Sequence, residues 1–325
     1  MFVKHILLIV VFFFQIQFSI GQRTETAINF DGQTSHLTLE FENDFFFDTD
    51  QYYTAGEAFS YTHKNLKKTP AQLLMRKKDI DNISFSGFGI EHRMFTPYST
   101  VFPDSISNDR PYSSYFLITN FSVLIKPMQY LKMSTEIGIG VLGPAAGGKQ
   151  IQSVIHQLID SARPVGWGNQ LNNSFIIDYQ FRIEKGFFTP WIANHLIPIG
   201  EVRLGTLQNK LAVGLMVKFG NSIKYLSNTN KVANKKNKLI WDWVFEAKLQ
   251  EVLFDATLQG GLMNGDELDK TLNTQNVLSA QYHLRTGLNI YYYGYFVRFM
   301  VNYNSTDFTS GASHKYGSIN IGFAF

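Results

Sequence analysis

The strongest constraint on the fold of this chain is a strict alternation of apolar and polar side chains along segments of about eleven residues. In residues 315–325, Ile319, Ile321, Phe323 and Phe325 fall on one face, and small or polar residues fall on the other. The same alternation recurs in residues 131–141, 174–184, 211–219, 241–249 and 295–303. A repeat of two residues is typical of β-strands with unlike faces, so the sequence predicts an all-β fold.

The polar faces of these strands distinguish a secreted β-sandwich from a membrane barrel. They mix charges of both signs with Gly and Ser, at Glu136, Asp178, Arg182, Lys218, Glu246, Lys248, Arg285 and Arg298. Sandwich strands usually have about 5–6 residues, whereas a tilted membrane strand needs about 9–11. Only 17% of the 325 residues are charged and 15% are aromatic. We therefore expect an antiparallel transmembrane β-barrel whose narrow interior is crossed by ion pairs rather than left open as a pore.

Residues 1–21 are expected to be a signal peptide. A basic start at Lys4 and His5 precedes nine apolar residues, 6–14, and small residues near Gly21 precede Gln22. Nine residues cannot cross a bilayer core, which needs about 20, so a cleaved signal is favoured over a membrane anchor. Residues 22–325 would then form one barrel in the bacterial outer membrane, and the terminal Phe325 is typical of the last strand of such barrels.

The alternation predicts twelve strands with both ends of the barrel chain in the periplasm. They are 35–43, 52–63, 83–95, 112–125, 130–142, 172–184, 187–196, 207–220, 240–251, 276–290, 294–304 and 315–325. Short periplasmic turns are expected at 126–129, 184–186 and 293–294. The outer connections would be 44–51, 96–111, 143–171, 197–206, 252–275 and 305–314. Two long basic connections, 64–82 and 221–239, are expected to be solvated loops on the inner side.

Partner classes can be narrowed from composition alone. The chain has no cysteine, which excludes disulfides and cysteine-ligated metals. A net charge of +3 is too small to indicate a nucleic-acid partner. We expect a monomer.

Three polar features are predicted to meet at the outer rim. Asn43 ends the first strand, Asp44 begins the first outer connection and Thr54 lies near the start of the second strand, although Asp and Asn are also common in ordinary turns. In the long third outer connection, apolar residues at 151, 154, 155, 158 and 159 predict a short amphipathic helix. Gln152 and His156 would lie side by side on its flank. Trp167, farther along the connection, suits an anchor at the membrane interface.

These motifs together resemble the lipid A 3′-O-deacylase family of outer-membrane enzymes. The resemblance rests on Glu42-Asn43-Asp44, Thr49-Asp50, Tyr53-Thr54-Ala55-Gly56, Thr96-Pro97, Arg110-Pro111-Tyr112, Gly143-Pro144, Gly147-Gly148, Gln152-x-x-x-His156 and Gly166-Trp167-x-x-Gln170-Leu171. It implies a twelve-stranded barrel and a calcium-dependent esterase that removes the 3′-linked acyloxyacyl chain of lipid A in the outer leaflet.

The resemblance also implies a role for each matching residue. His156 would be the general base, with Asn43, Asp44, Thr54 and Gln152 as the polar shell that orients water and holds Ca²⁺. Asp44 and Asn43 would be the metal ligands, and Arg110 and Trp167 would contact substrate. Some members carry a lysine in the second outer connection, whereas residues 96–110 contain none, so Arg110 is the candidate for that positive charge.

The groups themselves suggest a mechanism and leave alternatives open. An imidazole titrates near neutrality and can deprotonate a water that attacks the ester, while Ca²⁺ stabilises the oxyanion. Ser153 could instead be the nucleophile of a phospholipase-like acyl hydrolase, but it lacks a G-x-S-x-G setting. A non-enzymatic barrel, such as a small channel or an adhesin, is the alternative from a different functional class.

Overall fold

The computed structural model describes residues 35–47, 49, 51–75, 82–100, 109–159, 164–189, 193–220, 239–262 and 270–325. The predicted signal peptide, residues 1–21, and most of the basic connection 221–239 lie outside these residues. No helix in the described ranges is both long enough and apolar enough to cross a membrane.

Thirteen strand segments account for most of the described chain. They are β1 (Ser35–Asn43), β2 (Tyr52–His63), β3 (Ile83–Thr96), β4 (Ser113–Lys126), β5 (Leu131–Leu142), β6 (Ser174–Lys185), β7 (Phe187–Thr189), β8 (Ala193–Gly205), β9 (Gln208–Gly220), β10 (Ile240–Asp255), β11 (Ala280–Tyr292), β12 (Tyr295–Asn304) and β13 (His314–Ala324). Three helices join them: α1 (Pro70–Leu73), α2 (Gly148–Ile159) and α3 (Ala256–Gln259).

The strands form one closed antiparallel barrel. Each pairs with its neighbours along the chain, β1 pairs with β13, and β6 pairs with β8 to complete the ring. Segments β6 and β7 are one strand, because Glu184 opposite Ile199 and Phe187 opposite Leu196 belong to the same uninterrupted register with β8. Thirteen segments therefore make twelve barrel strands in the described residues, as the alternation predicted.

One region of the predicted strand map is wrong. The turn expected at 184–186 does not exist: Gly186 N donates to Tyr130 O at 2.7 Å, and the strand continues to Thr189. The next strand is Ala193–Gly205, so residues 197–206, expected as an outer loop, lie mostly within β8. Pro198 and two glycines inside β8 imitate the composition of a loop, which explains the error. The fourth outer connection is only residues 206–207, and the fifth begins at Ala256 because β10 extends to Asp255.

The two faces of the wall carry the predicted side chains. Ion pairs join strands across the lumen: Arg93 binds Glu40, Glu42 and Glu91, and Arg182 binds Glu184, Glu201 and Glu246. Large apolar residues are exposed on the outside, including Phe175, Ile177, Leu211, Val213, Trp243, Phe245 and Phe299. The lumen keeps a cavity of about 330 Å³ lined mainly by charged and other polar side chains. The mixed-charge interior and the apolar exterior are thus both confirmed.

The register fixes which end of each strand meets which connection. Ser35 N donates to Phe325 O at 2.9 Å, so the first and last strands share the inner end of the barrel. Tyr293 and Gly294 make the predicted two-residue turn at that end, both with positive φ (48° and 85°), as a type I′ hairpin requires. Asn43, Thr54, Thr96, Ser113 and Leu142 all lie at the opposite, outer end.

Candidate active site between the barrel wall and an outer helix

Helix α2 forms where the sequence predicted an amphipathic helix. It follows Gly143 and Gly147, whose φ values of 97° and 82° suit glycine and let the chain turn back toward the wall. Ile151 and Ile155 pack against a buried cluster of Ala55, Met94, Tyr112 and Trp167. Val154, predicted on the same stripe, is 54% exposed, so the docked stripe is narrower than expected.

The parity of the strands shows on which side of the wall α2 lies. Glu42, Tyr53, Glu91, Arg93 and Phe95 line the lumen cavity. Their neighbours in sequence therefore face outward, because successive side chains of a strand alternate between faces. Those neighbours are Asn43, His92 and Met94. Ala55 faces outward with them, because it lies directly opposite Asn43 on β1 and Met94 on β3, past the register shift at Thr54. Helix α2 packs on Ala55 and Met94, so it lies on the outside of the barrel at its outer end.

Gln152 and His156 occupy the docked side of α2. They are 1% and 6% exposed, although both are polar and lie on a helix outside the wall. Each follows an isoleucine that packs on the wall, so they share the buried flank of the helix. Trp167 Nε1 donates to Gln152 Oε1 at 2.5 Å, and the Trp167 ring packs against Tyr112 at 5.1 Å between centroids. Trp167 therefore supports Gln152 from within the fold, in addition to any interfacial role.

The connection between β1 and β2 is ordered by its own polar groups. Asn43 lies opposite Ala55 in the register, and Asp44, 1% exposed, begins a 3₁₀ turn, Asp44–Phe47. Asp44 Oδ2 accepts a hydrogen bond from Gln51 N at 2.8 Å, and Thr49 Oγ1 donates to Asp44 O at 3.2 Å. Thr54 sits at a register shift between β2 and β3, with its hydroxyl 2.7 Å from that of Thr96.

These contacts bring most of the predicted site to one place. Asn43 and Thr54 flank Ala55, on which Ile151 and Ile155 pack, and Gln152 and His156 are the next residues of that helix. The predicted residues from two separate connections thus lie around the cluster where α2 packs against β2 and β3. Their individual catalytic roles remain predictions.

The family relationship follows from the whole chain. Residues 7–325 match the family model described as outer membrane protein LpxR. The chain belongs to the LpxR family. The resemblance to lipid A 3′-O-deacylases, drawn from the rim motifs, is thereby confirmed, as is the location in the bacterial outer membrane.

Solved structures place the fold of this LpxR family member in context. LpxR from Salmonella typhimurium is 22% identical with a TM-score of 0.70, and the match covers 89% of this chain and 100% of that one. At that identity the likeness shows the fold. The β domain of the Bordetella autotransporter BrkA is 8% identical with a TM-score of 0.43, over 90% of this chain and 98% of that one. No curated protein sequence matches this chain.

Arg110 of this LpxR family member is not beside the helix. Its Nη1 donates to Asp307 Oδ2 at 2.8 Å and its Nη2 to Thr257 Oγ1 at 2.7 Å. Its guanidinium also lies 4.3 Å from the centroid of Phe95, a lumen-facing ring. Arg110 is 2% exposed and lines the lumen cavity, on the opposite face of the wall from Asn43 and Met94. Burial raises the pKa of Asp307, and the neighbouring Arg110 acts in the opposite direction.

The predicted metal ligands are oxygen donors only. Asp44 supplies a carboxylate and Asn43 an amide oxygen, a donor set that fits a hard cation such as Ca²⁺. Among the described residues, no group of three or more His, Asp or Glu side chains is arranged to hold a metal. Further ligands in this region would have to be backbone oxygens, hydroxyls or water.

The sequence reasoning missed one polar pair on the outer wall. His92 Nδ1 lies 3.0 Å from Glu57 Oε2, and the two residues are directly opposite in the register of β2 and β3. They face outward, one pleat repeat below Ala55 and Met94. The signal was available, because a Glu and a His at positions that strand parity turns toward lipid break the apolar pattern of the outer face.

Proposed function

We propose that this protein is an outer-membrane esterase that hydrolyses the 3′-linked acyl chain of lipid A. Membership of the LpxR family supports the substrate class. The observation that carries the proposal is the burial of His156 and Gln152 between α2 and the outer side of the barrel wall. A site on the outside of the wall, at its outer end, opens to molecules of the outer leaflet rather than to the lumen.

His156 acts as the general base in this mechanism. It takes a proton from a water molecule, which attacks the carbonyl carbon of the acyl ester. Trp167 holds Gln152 Oε1, so the amide orientation of Gln152 is fixed and its NH₂ group turns away from the indole. A positioned amide next to the base can orient the attacking water without reorganising during the reaction. The low exposure of both side chains limits competing contact with bulk water.

Asp44 and Asn43 would hold Ca²⁺. When bound, the ion would polarise the ester carbonyl and stabilise the oxyanion, a contribution of about 3–4 kcal/mol for comparable donors. Asp44 is suited to this role because the Gln51 backbone N–H fixes one carboxylate oxygen and the residue is almost fully buried. Thr54, next to Ala55 and bonded to Thr96, adds a hydroxyl to the same polar shell.

The mass of lipid A tests the proposal directly. The test uses a host whose lipid A carries intact 3′-acyl chains. When this host produces the wild-type protein, the mass of its extracted lipid A should fall by the mass of that substituent, as measured by mass spectrometry. His156→Ala should leave lipid A intact, because the rate falls by at least about 100-fold. Gln157→Ala is the control, since Gln157 is the adjacent, exposed residue of the same helix.

Two further readouts in the same host address the alternatives. Ser153→Ala should retain the wild-type lipid A profile if water is the nucleophile. An inactive Ser153→Ala protein that is correctly folded would favour the phospholipase-like mechanism. An unchanged lipid A profile with wild-type protein, together with ion conductance in planar bilayers, would favour a channel.

A further inference from the structure

The pair Glu57–His92 is set apart from the other outward-facing residues by its burial. Glu57 is 9% exposed and His92 is 6% exposed. Outward-facing apolar residues on β1, β3 and β4 are exposed as lipid-facing side chains should be, with Leu39 at 41%, Phe88 at 46% and Ile118 at 51%. A polar pair is thus shielded from lipid about one pleat repeat from Ala55 and Met94, which belong to the cluster on which α2 packs.

The hydrogen bonding of the pair leaves one ring nitrogen for a ligand. Nδ1 of His92 is 3.0 Å from Glu57 Oε2, so the carboxylate fixes the orientation of the imidazole. Nε2 is buried and has no hydrogen-bond partner among the residues that the structure describes. A buried polar nitrogen without a partner is costly unless something else bonds to it, here a water or a substrate group.

Among the described residues, the strands on either side of His92 place one carboxylate and one apolar ring beside it on the outer face. Its partners in the register are Glu57 on β2 and Phe116 on β4. Two residues toward the outer end lie Met94 and Ala55, which belong to the cluster on which Ile151 and Ile155 of α2 pack. Neighbouring same-face residues of a strand are about 6.6 Å apart, so His92 is about one pleat repeat from the layer of the wall that carries the helix.

We propose that His92, oriented by Glu57, is the proton donor to the sugar oxygen that leaves when the acyl ester is cleaved. This inference rests on the proposed deacylase function. Water forms the new bond to the carbonyl carbon and gives a proton to His156. The bond between that carbon and the sugar oxygen then breaks, and the oxygen takes the proton from His92 Nε2. The products are a free fatty acid and a sugar hydroxyl. Solvent then takes the proton from His156 and returns one to His92.

A donor on the barrel wall and a base on α2 divide the proton transfers between two residues. An alkoxide is a poor leaving group, and its protonation during bond breaking contributes about 10²–10⁴-fold in comparable reactions. The Glu57 carboxylate offsets the positive charge of the imidazolium form, as a carboxylate bonded to a catalytic imidazole does. Glu57 is then a positioning residue, because it acts through His92.

The experiment compares three variants, His92→Ala, Glu57→Gln and the double variant of these two. Ile90→Ala is the control. Ile90 lies on the same strand and the same face, two residues farther from the rim, and pairs with Phe59. Each purified protein is assayed by initial-rate lipid A deacylation in detergent over a range of pH, and folding is checked by heat-modifiable migration. We expect His92→Ala to lose about 100-fold in kcat with little change in KM. Ile90→Ala should match wild type.

Two features would separate proton donation from a structural role. The wild-type rate should fall on the alkaline side of its pH profile, and this limb should be missing in His92→Ala. The double variant should be no slower than His92→Ala, since the pair acts as a unit. If His92→Ala fails to fold, Glu57→Gln provides the test, because it keeps the size of the side chain. This variant should shift the alkaline limb of the pH profile. A folded His92→Ala with the kcat and pH profile of Ile90→Ala overturns the inference, whereas a wild-type protein inactive on lipid A overturns the proposed function itself.

Discussion

Trp167 donates its indole N–H to Gln152 Oε1 at 2.5 Å, across fifteen residues of the third outer connection. This bond ties the segment after the helix to the polar flank of α2. It joins the apolar docking cluster to the predicted catalytic residues, because Trp167 also packs with Ala55 and Met94. The orientation of Gln152 therefore depends on a residue that contributes no chemistry of its own.

Replacing Trp167 by Phe should lower the deacylation rate by about tenfold, the equivalent of one net hydrogen bond of about 1–1.5 kcal/mol. The ring that packs on Tyr112 is largely retained, so the melting temperature of the barrel should change little. The measurement is the initial rate on purified lipid A. Trp243→Phe is the matched control, because Trp243 donates its indole N–H to Thr286 at 2.9 Å on the exposed wall far along the barrel. Equal rates in both variants would contradict the role given to Trp167.

Asp44 should determine the calcium requirement. Asp44→Asn keeps an oxygen that can accept from Gln51 N, so the loop should remain ordered while the negative charge is lost. A site that loses its carboxylate binds Ca²⁺ more weakly, so activity should need a higher Ca²⁺ concentration than in wild type. Activity is titrated with Ca²⁺ after removal of metal by a chelator. A titration curve identical to wild type would show that Asp44 is not a ligand.

Arg110 should act on stability rather than on substrate binding. Arg110→Met removes the partner of Asp307 inside the lumen mouth and should destabilise the barrel by about 2 kcal/mol, less than for a fully buried pair because the Asp307 side chain is 30% exposed. The double variant Arg110→Met/Asp307→Leu should recover part of the loss. Denaturant titration of the detergent-folded barrel measures both. A normal stability with a raised KM for lipid A would instead support the substrate contact that the sequence suggested.

The pair Arg110–Asp307 makes the stability of the barrel depend on pH in a defined direction. Burial raises the pKa of Asp307 above its unfolded value, and Arg110 opposes that rise. A carboxyl with a raised pKa costs stability once pH exceeds the unfolded pKa, and the cost is complete above the folded pKa. Without Arg110 the pKa of Asp307 should rise further. The loss in free energy of unfolding of Arg110→Met relative to wild type should therefore be smaller at about pH 5 than at about pH 8. A deficit that grows on acidification would exclude Asp307 as its cause.

The barrel was predictable because apolar and polar side chains alternate every two residues along its strands. Alternation gave the bounds of β1 and β2 residue by residue and those of most other strands within a few residues. It failed at β8, where Pro198 lies opposite Leu215 inside a regular ladder. Local composition cannot reveal that a strand tolerates a proline. Tolerance depends on whether a neighbouring strand requires a backbone hydrogen bond from that position, where proline has no N–H to donate.

The candidate site was predictable only in part. Residues that share the outer end of adjacent strands could be grouped from topology, which placed Asn43, Thr54 and His156 together. Topology does not say whether a connection folds over the lumen or against the outer wall, and this choice separates Arg110 from Trp167. The orphaned Nε2 of His92 also depends on three-dimensional packing, since the sequence shows the His but not what surrounds it.

Gly166 should be required for docking of the outer connection, and Gly168 should not. A Cβ on Gly166 would lie 2.1 Å from a ring atom of Tyr112, the ring that packs against Trp167, whereas a Cβ on Gly168 would meet nothing within 4 Å. Gly166→Ala must therefore displace Tyr112 or Trp167, which loosens the support of Gln152 and should lower the deacylation rate at least as much as Trp167→Phe. The barrel strands are not involved, so heat-modifiable migration should be normal for both variants. If Gly166→Ala deacylates lipid A as fast as Gly168→Ala, the packing of Trp167 under α2 does not control the site.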